Sequence, residues 1–321
     1  MRKFSIFQIA IALVATVALP AGATTQTAAS SGTNQASGSQ VTRVVQSQLD
    51  PNAKRTVVVI DSGFDTSKFS PIAEVCILTV KRCNNGQSFD ESVGASTTPL
   101  AMSRNGQREW NHGTIMADIV RQINPDVNLI LIRNAFVVPS GAVNIGGIRE
   151  FNLSMDWVIK NKEKYNITAV SFSRGQIAWT KKSTTCPLDI TTQNQIVTLQ
   201  NMGVATVMPA GNDRNKTNIS YPACIAEAVA ISGIYSQNYT PKIFSTYRET
   251  HGTNSGAATD FFAMGNFKTV AGPVAESTSA STAAFAGHWS KVTNGNYFET
   301  YAKIASTMTA KKYVDVLATP R

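Results

Sequence analysis

Thr56-Val57-Val58-Val59-Ile60-Asp61-Ser62-Gly63 is the stretch of sequence that decides the fold. Its first five residues are all β-branched, and no polar residue alternates with them. A strand with one face in water would alternate, so an unbroken run of this kind is typical of a strand buried on both faces, as in a parallel sheet. The run ends at Asp61, which places a carboxylate at the carboxyl end of the strand.

Four further apolar runs of strand length follow along the chain, with helical patterns between them. We predict strands at 56–60, 128–132, 168–172, 203–208 and 228–232, and helices near 113–123, 147–163 and 190–202. Strands that alternate with helices are joined by right-handed crossovers. The sequence therefore predicts an α/β fold of three layers, a parallel sheet with helices on both faces, in which ligands bind at the carboxyl ends of the strands.

The N-terminus has the pattern of a signal peptide, which we assign to residues 1–23. A basic Met1-Arg2-Lys3 precedes an apolar stretch, and Ala21-Gly22-Ala23 is a small-x-small cleavage site. The alternative is a retained membrane anchor, because the apolar stretch nearly reaches spanning length. Residues 24–54 are rich in Thr, Ser, Gln and Asn, and we interpret them as a flexible polar leader. The ordered domain is predicted to span 55–321.

Composition and charge exclude several classes of protein. The 321 residues are 43% hydrophobic, and the net charge is +9. An anionic partner such as nucleic acid is one explanation of that charge, but no long Lys/Arg run is present, so a solvated basic surface without a nucleic-acid partner is favoured. P-loop, HExxH, GxGxxG and CxxC motifs are all missing, which gives no support to nucleotide or zinc chemistry.

The four cysteines are an even number, as expected for disulfides formed outside the cytoplasm. Of the three possible pairings, we favour Cys76–Cys83 and Cys186–Cys224. Together with the signal peptide, this predicts an extracytoplasmic protein, either periplasmic or secreted. After cleavage it is not expected to stay inserted in a membrane. We also expect a monomer.

Two candidate catalytic residues are indicated by their positions next to predicted strands and helices. Asp61 ends the first strand, where an ordinary turn is the simpler explanation of an Asp beside Gly63. His112 lies in Trp110-Asn111-His112-Gly113-Thr114, at the expected start of a helix, and an imidazole can accept and return a proton near neutral pH. Each residue alone is weak evidence.

Two more residues are candidates for covalent chemistry, one to stabilise an intermediate and the other to form it. Asn212 follows the fourth strand in Met208-Pro209-Ala210-Gly211-Asn212, where its amide can donate to a developing oxyanion. Ser279 lies in the first turn of a helix rich in small residues, at the positive end of the helix dipole. Ser277 and Ser281 are rivals for the role of nucleophile, and only the register of the helix separates them.

Taken together, these motifs resemble those of the subtilisin-like serine peptidases (subtilases, peptidase S8 type). The chain order Asp, His, Ser is the order in subtilisin, and the resemblance covers about 55–295. It implies that Asp61 orients His112, that His112 activates Ser279, and that Asn212 and the Ser279 backbone N–H bind the oxyanion. The family usually has Gly at the position of Ser277 and Pro at that of Ala283, and Glu276 adds a carboxylate, so the serine motif is divergent.

The Ser279-Ala280-Ser281 sequence is also similar to that of the sedolisins, which use Glu in place of His and Asp in place of Asn. The presence of His112-Gly113-Thr114 and of Asn212 speaks against that relationship. The segment Ser173-Arg174-Gly175 resembles the one with which subtilases pair the substrate backbone as an added strand. If Arg174 lines a subsite, acidic substrate side chains are expected. His251 and His288 are interpreted as structural.

The sequence therefore predicts a secreted serine endopeptidase with a protein or peptide substrate. It needs no cofactor; calcium is common in the family, but no ligand cluster can be assigned to it and no metal site is predicted. The alternative is a subtilisin-like pseudoprotease with little or no turnover, which would act as a peptide-binding or regulatory protein.

Overall fold

The fold is known from a computed structural model that describes residues 53–97, 107–138, 143–175, 186–187, 189–235, 248–249, 252–270, 272–274, 277–308 and 312–317. All five predicted strands and all three predicted helices form within these ranges. The strands are β1 (Thr56–Asp61), β2 (Ala73–Ile77), β3 (Phe89–Asp90), β4 (Asn128–Arg133), β5 (Ala135–Val137), β6 (Val143–Ile145), β7 (Ile167–Phe172), β8 (Ala205–Pro209), β9 (Val229–Tyr235), β10 (Arg248–Glu249), β11 (Phe261–Met264), β12 (Phe267–Thr269) and β13 (Gly272–Val274). The α-helices are α1 (Gln107–Ile123), α2 (Ile148–Asn161), α3 (Ile190–Asn201), α4 (Thr278–Val292) and α5 (Tyr297–Thr307).

One mostly parallel sheet organises these elements, in the order β10-β9-β8-β7-β1-β4-β2-β3, and β11 also pairs with β9. Every pairing is parallel except those of β10 with β9 and of β3 with β2. The strand β1 lies between β4 and β7, so Asp61 ends a strand in the middle of the sheet. The predicted α/β class is confirmed.

The sheet is covered on both faces. Val57 and Val59 belong to a core that contains residues of α1, α4 and α5, whereas Val58 and Ile60 belong to a second core with residues of α2 and α3. Because successive side chains of a strand point to opposite faces, both sets must be apolar, which explains the continuous run. The three-layer arrangement follows directly from this alternation.

The helix α1 begins at Gln107 rather than near 113 as expected. Its first turns are polar and carry no apolar period, although Gln, Arg and Glu are good helix formers. His112 therefore lies inside the helix, in its second turn, and not at its N-terminus.

The two favoured disulfides are present. Cys76 is bonded to Cys83 and Cys186 to Cys224, with Cα–Cα separations of 5.8 and 5.7 Å. The signal peptide (1–23), the leader as far as residue 52, Glu276 and His251 lie outside the described residues. The boundaries of the three predicted segments therefore stay predictions. Among the helices that the structure describes, none is both long and apolar enough to span a membrane.

Candidate active site

Asp61 and His112 are hydrogen-bonded at the carboxyl edge of the sheet. Nδ1 of His112 lies 2.9 Å from both carboxylate oxygens of Asp61, and Asp61 Oδ1 also accepts from the backbone N–H of Ser62 at 2.6 Å. Asp61 is buried, and 34% of the His112 side chain is exposed. This contact orients the ring and leaves its Nε2 as the atom that can exchange a proton with another group.

The carboxylate also changes the proton affinity of the ring. Burial disfavours the charged imidazolium, but the charge and the hydrogen bond of Asp61 outweigh this effect, so the pKa of His112 is raised above its ordinary value of 6.5. The neighbouring Gly113 makes the approach possible, because a Cβ at that position would lie 2.4 Å from the carbonyl oxygen of Gly63 and 3.1 Å from Cβ of Asp61. A side chain there would push α1 away from the end of β1.

Asn212 follows β8 and reaches the start of α4. Its Oδ1 accepts hydrogen bonds from the backbone N–H and from the hydroxyl of Thr278, both at 3.0 Å. Because the oxygen end of the amide is held in this way, the Nδ2 end is the one that remains to donate. The residue is exposed at the surface, directly beside the residue that precedes Ser279.

The three serines of this motif differ in their contacts. Ser277 is the N-cap of α4, and its hydroxyl accepts from the backbone N–H of Ser279 at 3.1 Å. Ser281 is fully buried, and its hydroxyl donates to the carbonyl of Ser277 within the helix at 3.2 Å. Ser279 is 7% exposed, and its hydroxyl, unlike those of Ser277 and Ser281, bonds to a residue outside α4 and its N-cap.

Ser279 is joined to the predicted substrate segment. Its Oγ donates to the carbonyl of Ser173 at 3.2 Å, and Oγ of Ser173 donates to the carbonyl of Ser279 at 3.1 Å. The hydroxyl of Ser279 is thus turned toward Ser173, and among the described residues no hydrogen bond joins it to His112. The structure brings Asp61 to His112 and Ser279 to Ser173. Ser173 also lines the same cavity as Asp61 and His112.

A cavity of about 140 Å³ lies beside Ser173. It is lined by Ile60, Asp61, Ser62, His112, Asn134, Ile145, Phe172, Ser173 and Arg174. The guanidinium of Arg174 donates to the carbonyl of Gly146. Burial lowers its pKa, although the charges of Asp61 and Glu150 oppose this. Arg174 therefore forms part of the cavity wall and is already engaged with the backbone.

The remaining histidine in the described residues is structural. His288 is buried in α4, and burial is the main cause that lowers its pKa to about 4, so the ring is neutral at physiological pH. Within the described ranges, no three His, Cys, Asp or Glu side chains come together as they would in a metal site.

Sequence reasoning missed two contributors to this site. Thr278 holds the amide of Asn212, and the only signal for it was its position just before Ser279. Asn254 contacts the backbone on both sides of Asn212. It lies in a loop rich in Gly, Thr and Ser, where the sequence gives no reason to distinguish it from an ordinary turn residue.

Comparisons with known proteins agree with this fold. A protease of Pseudoalteromonas arctica has a similar structure, with a TM-score of 0.60 and 16% sequence identity over 83% of this chain and 88% of the other. At that identity the likeness shows the fold alone. No curated protein sequence matches the chain. The model of the subtilase family, peptidase S8, matches residues 52–314, which is most of the sequence, so the chain belongs to the subtilase family.

Proposed function

We propose that the protein is a secreted serine endopeptidase that hydrolyses peptide bonds through an acyl-enzyme. Asp61, His112 and Ser279 form its catalytic triad. The observation that carries the proposal is the double contact of His112 Nδ1 with both oxygens of Asp61, 2.9 Å each, at the carboxyl end of a central parallel strand. A carboxylate in this position fixes the tautomer of the imidazole and stabilises the imidazolium that forms during the reaction.

The first step is attack of Ser279 Oγ on the scissile carbonyl. For this step the hydroxyl leaves the carbonyl of Ser173 and turns toward Nε2 of His112, which accepts its proton and later returns it to the leaving amine. The Nδ2 of Asn212 donates to the oxygen that becomes negatively charged. A water molecule, which His112 deprotonates, then attacks the carbonyl of the acyl-enzyme. The ester bond breaks, the product leaves as a carboxylic acid, and the Ser279 hydroxyl is regenerated. All these groups belong to the chain itself, so no cofactor is required.

The substrate is an extended segment of a protein or peptide. We propose that its backbone pairs with Ser173-Arg174-Gly175 as an added strand, which brings its scissile bond to Ser279 because Ser173 is already bonded to that residue. A Cβ at Gly175 would lie 2.6 Å from Cβ of Ser220, so a larger residue would displace this segment. Two disulfides favour work outside the cytoplasm, and we propose that the enzyme acts there as a monomer.

One pair of observations favours the second candidate, a pseudoprotease that binds peptides. The Oγ of Ser279 is bonded to Ser173, and its N–H is bonded to Ser277. Both groups are engaged away from His112 and from a substrate oxygen. A protein locked in this arrangement would keep the peptide-binding segment and lose turnover.

One experiment separates the two candidates. The mature protein is assayed for casein hydrolysis and for labelling by a fluorophosphonate, and the labelled residue is identified by mass spectrometry. Hydrolysis that is lost in Ser279→Ala, with the label on Ser279, is expected for the peptidase. Absence of both hydrolysis and labelling in folded protein would favour the pseudoprotease. Ser281→Ala is the matched control and should keep both signals.

A further inference from the structure

The turn that carries Asn212 is held by the buried side chain of Asn254. Its Oδ1 accepts from the backbone N–H groups of Asp213 and Asn215, at 3.0 and 2.9 Å. Its Nδ2 donates to the carbonyl of Ala210 at 2.9 Å and to the carboxylate of Asp213 at 3.2 Å. These contacts bracket Asn212 on both sides.

The backbone of Asn254 adds a further contact to the same turn, since its N–H donates to the carbonyl of Gly211 at 2.8 Å. Gly211 has a φ of +106°, and a Cβ there would lie 2.5 Å from Nδ2 of Asn254. Only glycine lets the amide come this close. The turn and Asn254 are therefore fitted to each other.

Asn254 is in turn fixed to the sheet. Its carbonyl accepts from the hydroxyl of Ser232, in β9, at 2.6 Å, and the neighbouring Thr253 hydroxyl accepts from the N–H of Gly233 at 2.8 Å. Asn254 is fully buried. A rigid strand thus sets the position of the Asn254 amide, and the amide sets the position of the turn.

We propose that Asn254 is a positioning residue of the oxyanion hole, which acts through Asn212 without touching the substrate. This inference rests on the proposed peptidase function. Thr278 holds only the amide oxygen of Asn212, whereas Asn254 fixes the backbone from which that side chain extends. Because a displacement of about 1 Å in a catalytic donor can cost on the order of 100-fold in rate, loss of Asn254 lowers kcat more than it changes KM.

Asn254→Asp is the sharpest variant. It keeps the shape of the side chain and an oxygen for the N–H groups of Asp213 and Asn215. It replaces the donor Nδ2 by an oxygen that faces the carbonyl of Ala210 and the carboxylate of Asp213, and the turn must move to relieve that contact. We expect kcat and the rate of fluorophosphonate labelling to fall by about 10- to 100-fold, with KM changed by no more than about threefold.

A double-mutant cycle with Asn212→Ala tests whether Asn254 acts through Asn212. The four proteins are the wild type, each single variant and the double variant, compared by casein hydrolysis and labelling rate. If Asn254 only positions Asn212, its substitution costs less than about twofold once Asn212 has been truncated. A general loss of structure at the site would lower the activity by the same factor whether residue 212 is Asn or Ala. Equal losses of activity in these two proteins would therefore overturn the inference.

Two controls complete the test. Asn124→Ala removes a hydrogen bond to Ser290, 2.9 Å long, just beyond the C-terminus of α1, and reports the effect of lost stability alone; it should leave kcat unchanged. Ser232→Ala removes the hydroxyl that holds the Asn254 carbonyl, and replaces Asn254→Asp in the cycle if that variant does not fold. If the wild type is active and the losses of activity in the two single variants are additive, the positioning role of Asn254 is refuted but the proposed function is not. A wild type without hydrolysis or labelling refutes both.

Discussion

The hydroxyl of Ser277 accepts a hydrogen bond from the backbone N–H of Ser279 at 3.1 Å. That N–H is the group which, together with Asn212, is expected to bind the oxyanion. Subtilases usually have glycine at this position, where no side chain can compete for the N–H. The divergent serine motif therefore has a specific physical consequence: a donor that the proposed mechanism uses in the transition state is already bonded to Ser277.

Ser277→Gly should release that donor. The substitution costs the helix only a few tenths of a kcal/mol, because Gly is an acceptable N-cap. We expect kcat for a peptide anilide to rise severalfold, in keeping with the large contribution of single oxyanion donors. The measurement is kcat and KM of the purified variant.

Ser281→Ala is the matched control for this prediction, since it also removes a hydroxyl from the first turns of α4 but none that contacts the Ser279 N–H. It should leave kcat unchanged. A fall in kcat for Ser277→Gly would show instead that the Ser277 hydroxyl itself donates to the oxyanion.

The sequence predicted the positions of the site residues better than their contacts. Asp61 could be placed at the edge of the sheet, because a buried strand ends there and the physical reason is local. The register of Ser279 could not be decided, because Ser277 and Ser281 have the same chemistry. In the structure Ser277 caps α4, whereas Ser281 is fully buried. That capping depends on where the helix starts, which the sequence fixes poorly.

Several features of the site could not be predicted from the sequence, although the long-range Cys186–Cys224 disulfide was. The start of α1 was misplaced by six residues because its polar first turns carry no apolar period. Asn254 was missed because its role depends on the turn at Asn212, 42 residues earlier. Arg174 lines the cavity, and its guanidinium also donates to the carbonyl of Gly146, a contact that sequence alone cannot indicate. The preference for acidic side chains that follows if Arg174 lines a subsite stays a prediction.

The pH dependence of activity should follow the titration of His112. Its pKa is raised by Asp61, and the protonated ring cannot accept the proton of Ser279. We therefore expect kcat/KM to fall as the pH drops, with the midpoint of this acid limb above 6.5. The check is a pH profile of casein hydrolysis together with an NMR titration of the three histidines in Ser279→Ala.

Asp61→Asn provides the comparison for this prediction. It removes the charge that raises the pKa, so the His112 titration should move to lower pH, and kcat should fall by about 10⁴-fold because the tautomer is no longer fixed. A His112 titration that is the same in both proteins would contradict the assigned contact.

Truncation of the oxyanion donor should lower kcat and leave binding nearly intact. For Asn212→Ala we expect a fall of roughly 10²–10³ in kcat, a value established in subtilisin itself, with little change in KM. Thr278→Val keeps the backbone N–H bond to Asn212 and loses the hydroxyl bond, so its loss should be smaller. Steady-state kinetics of both variants decide the point, and equal effects on KM and kcat would argue against a transition-state role.

The buried carboxyl of Asp260 should make the stability of the protein depend on pH. Asp260 Oδ2 accepts from the N–H of Ala230 at 2.8 Å, and its Oδ1 accepts from the hydroxyl of Tyr301 at 3.0 Å. Burial is the main cause that raises its pKa from 3.8 to about 6, against these hydrogen bonds and the charge of Lys312. The folded state thus holds the proton more tightly than the unfolded state.

The sign of the effect follows from this difference. The stabilising contribution is complete below about pH 4 and is lost as the pH rises through about 6, with a size of at most about 3 kcal/mol. Asp260→Asn removes the titration, so the free energy of unfolding of the wild type relative to this variant should decrease between pH 4 and 7. Urea unfolding followed by tryptophan fluorescence measures it. Tyr301→Phe removes a donor that favours the ionised carboxylate and should move the transition to higher pH, whereas a difference that is constant with pH would refute the assignment to Asp260.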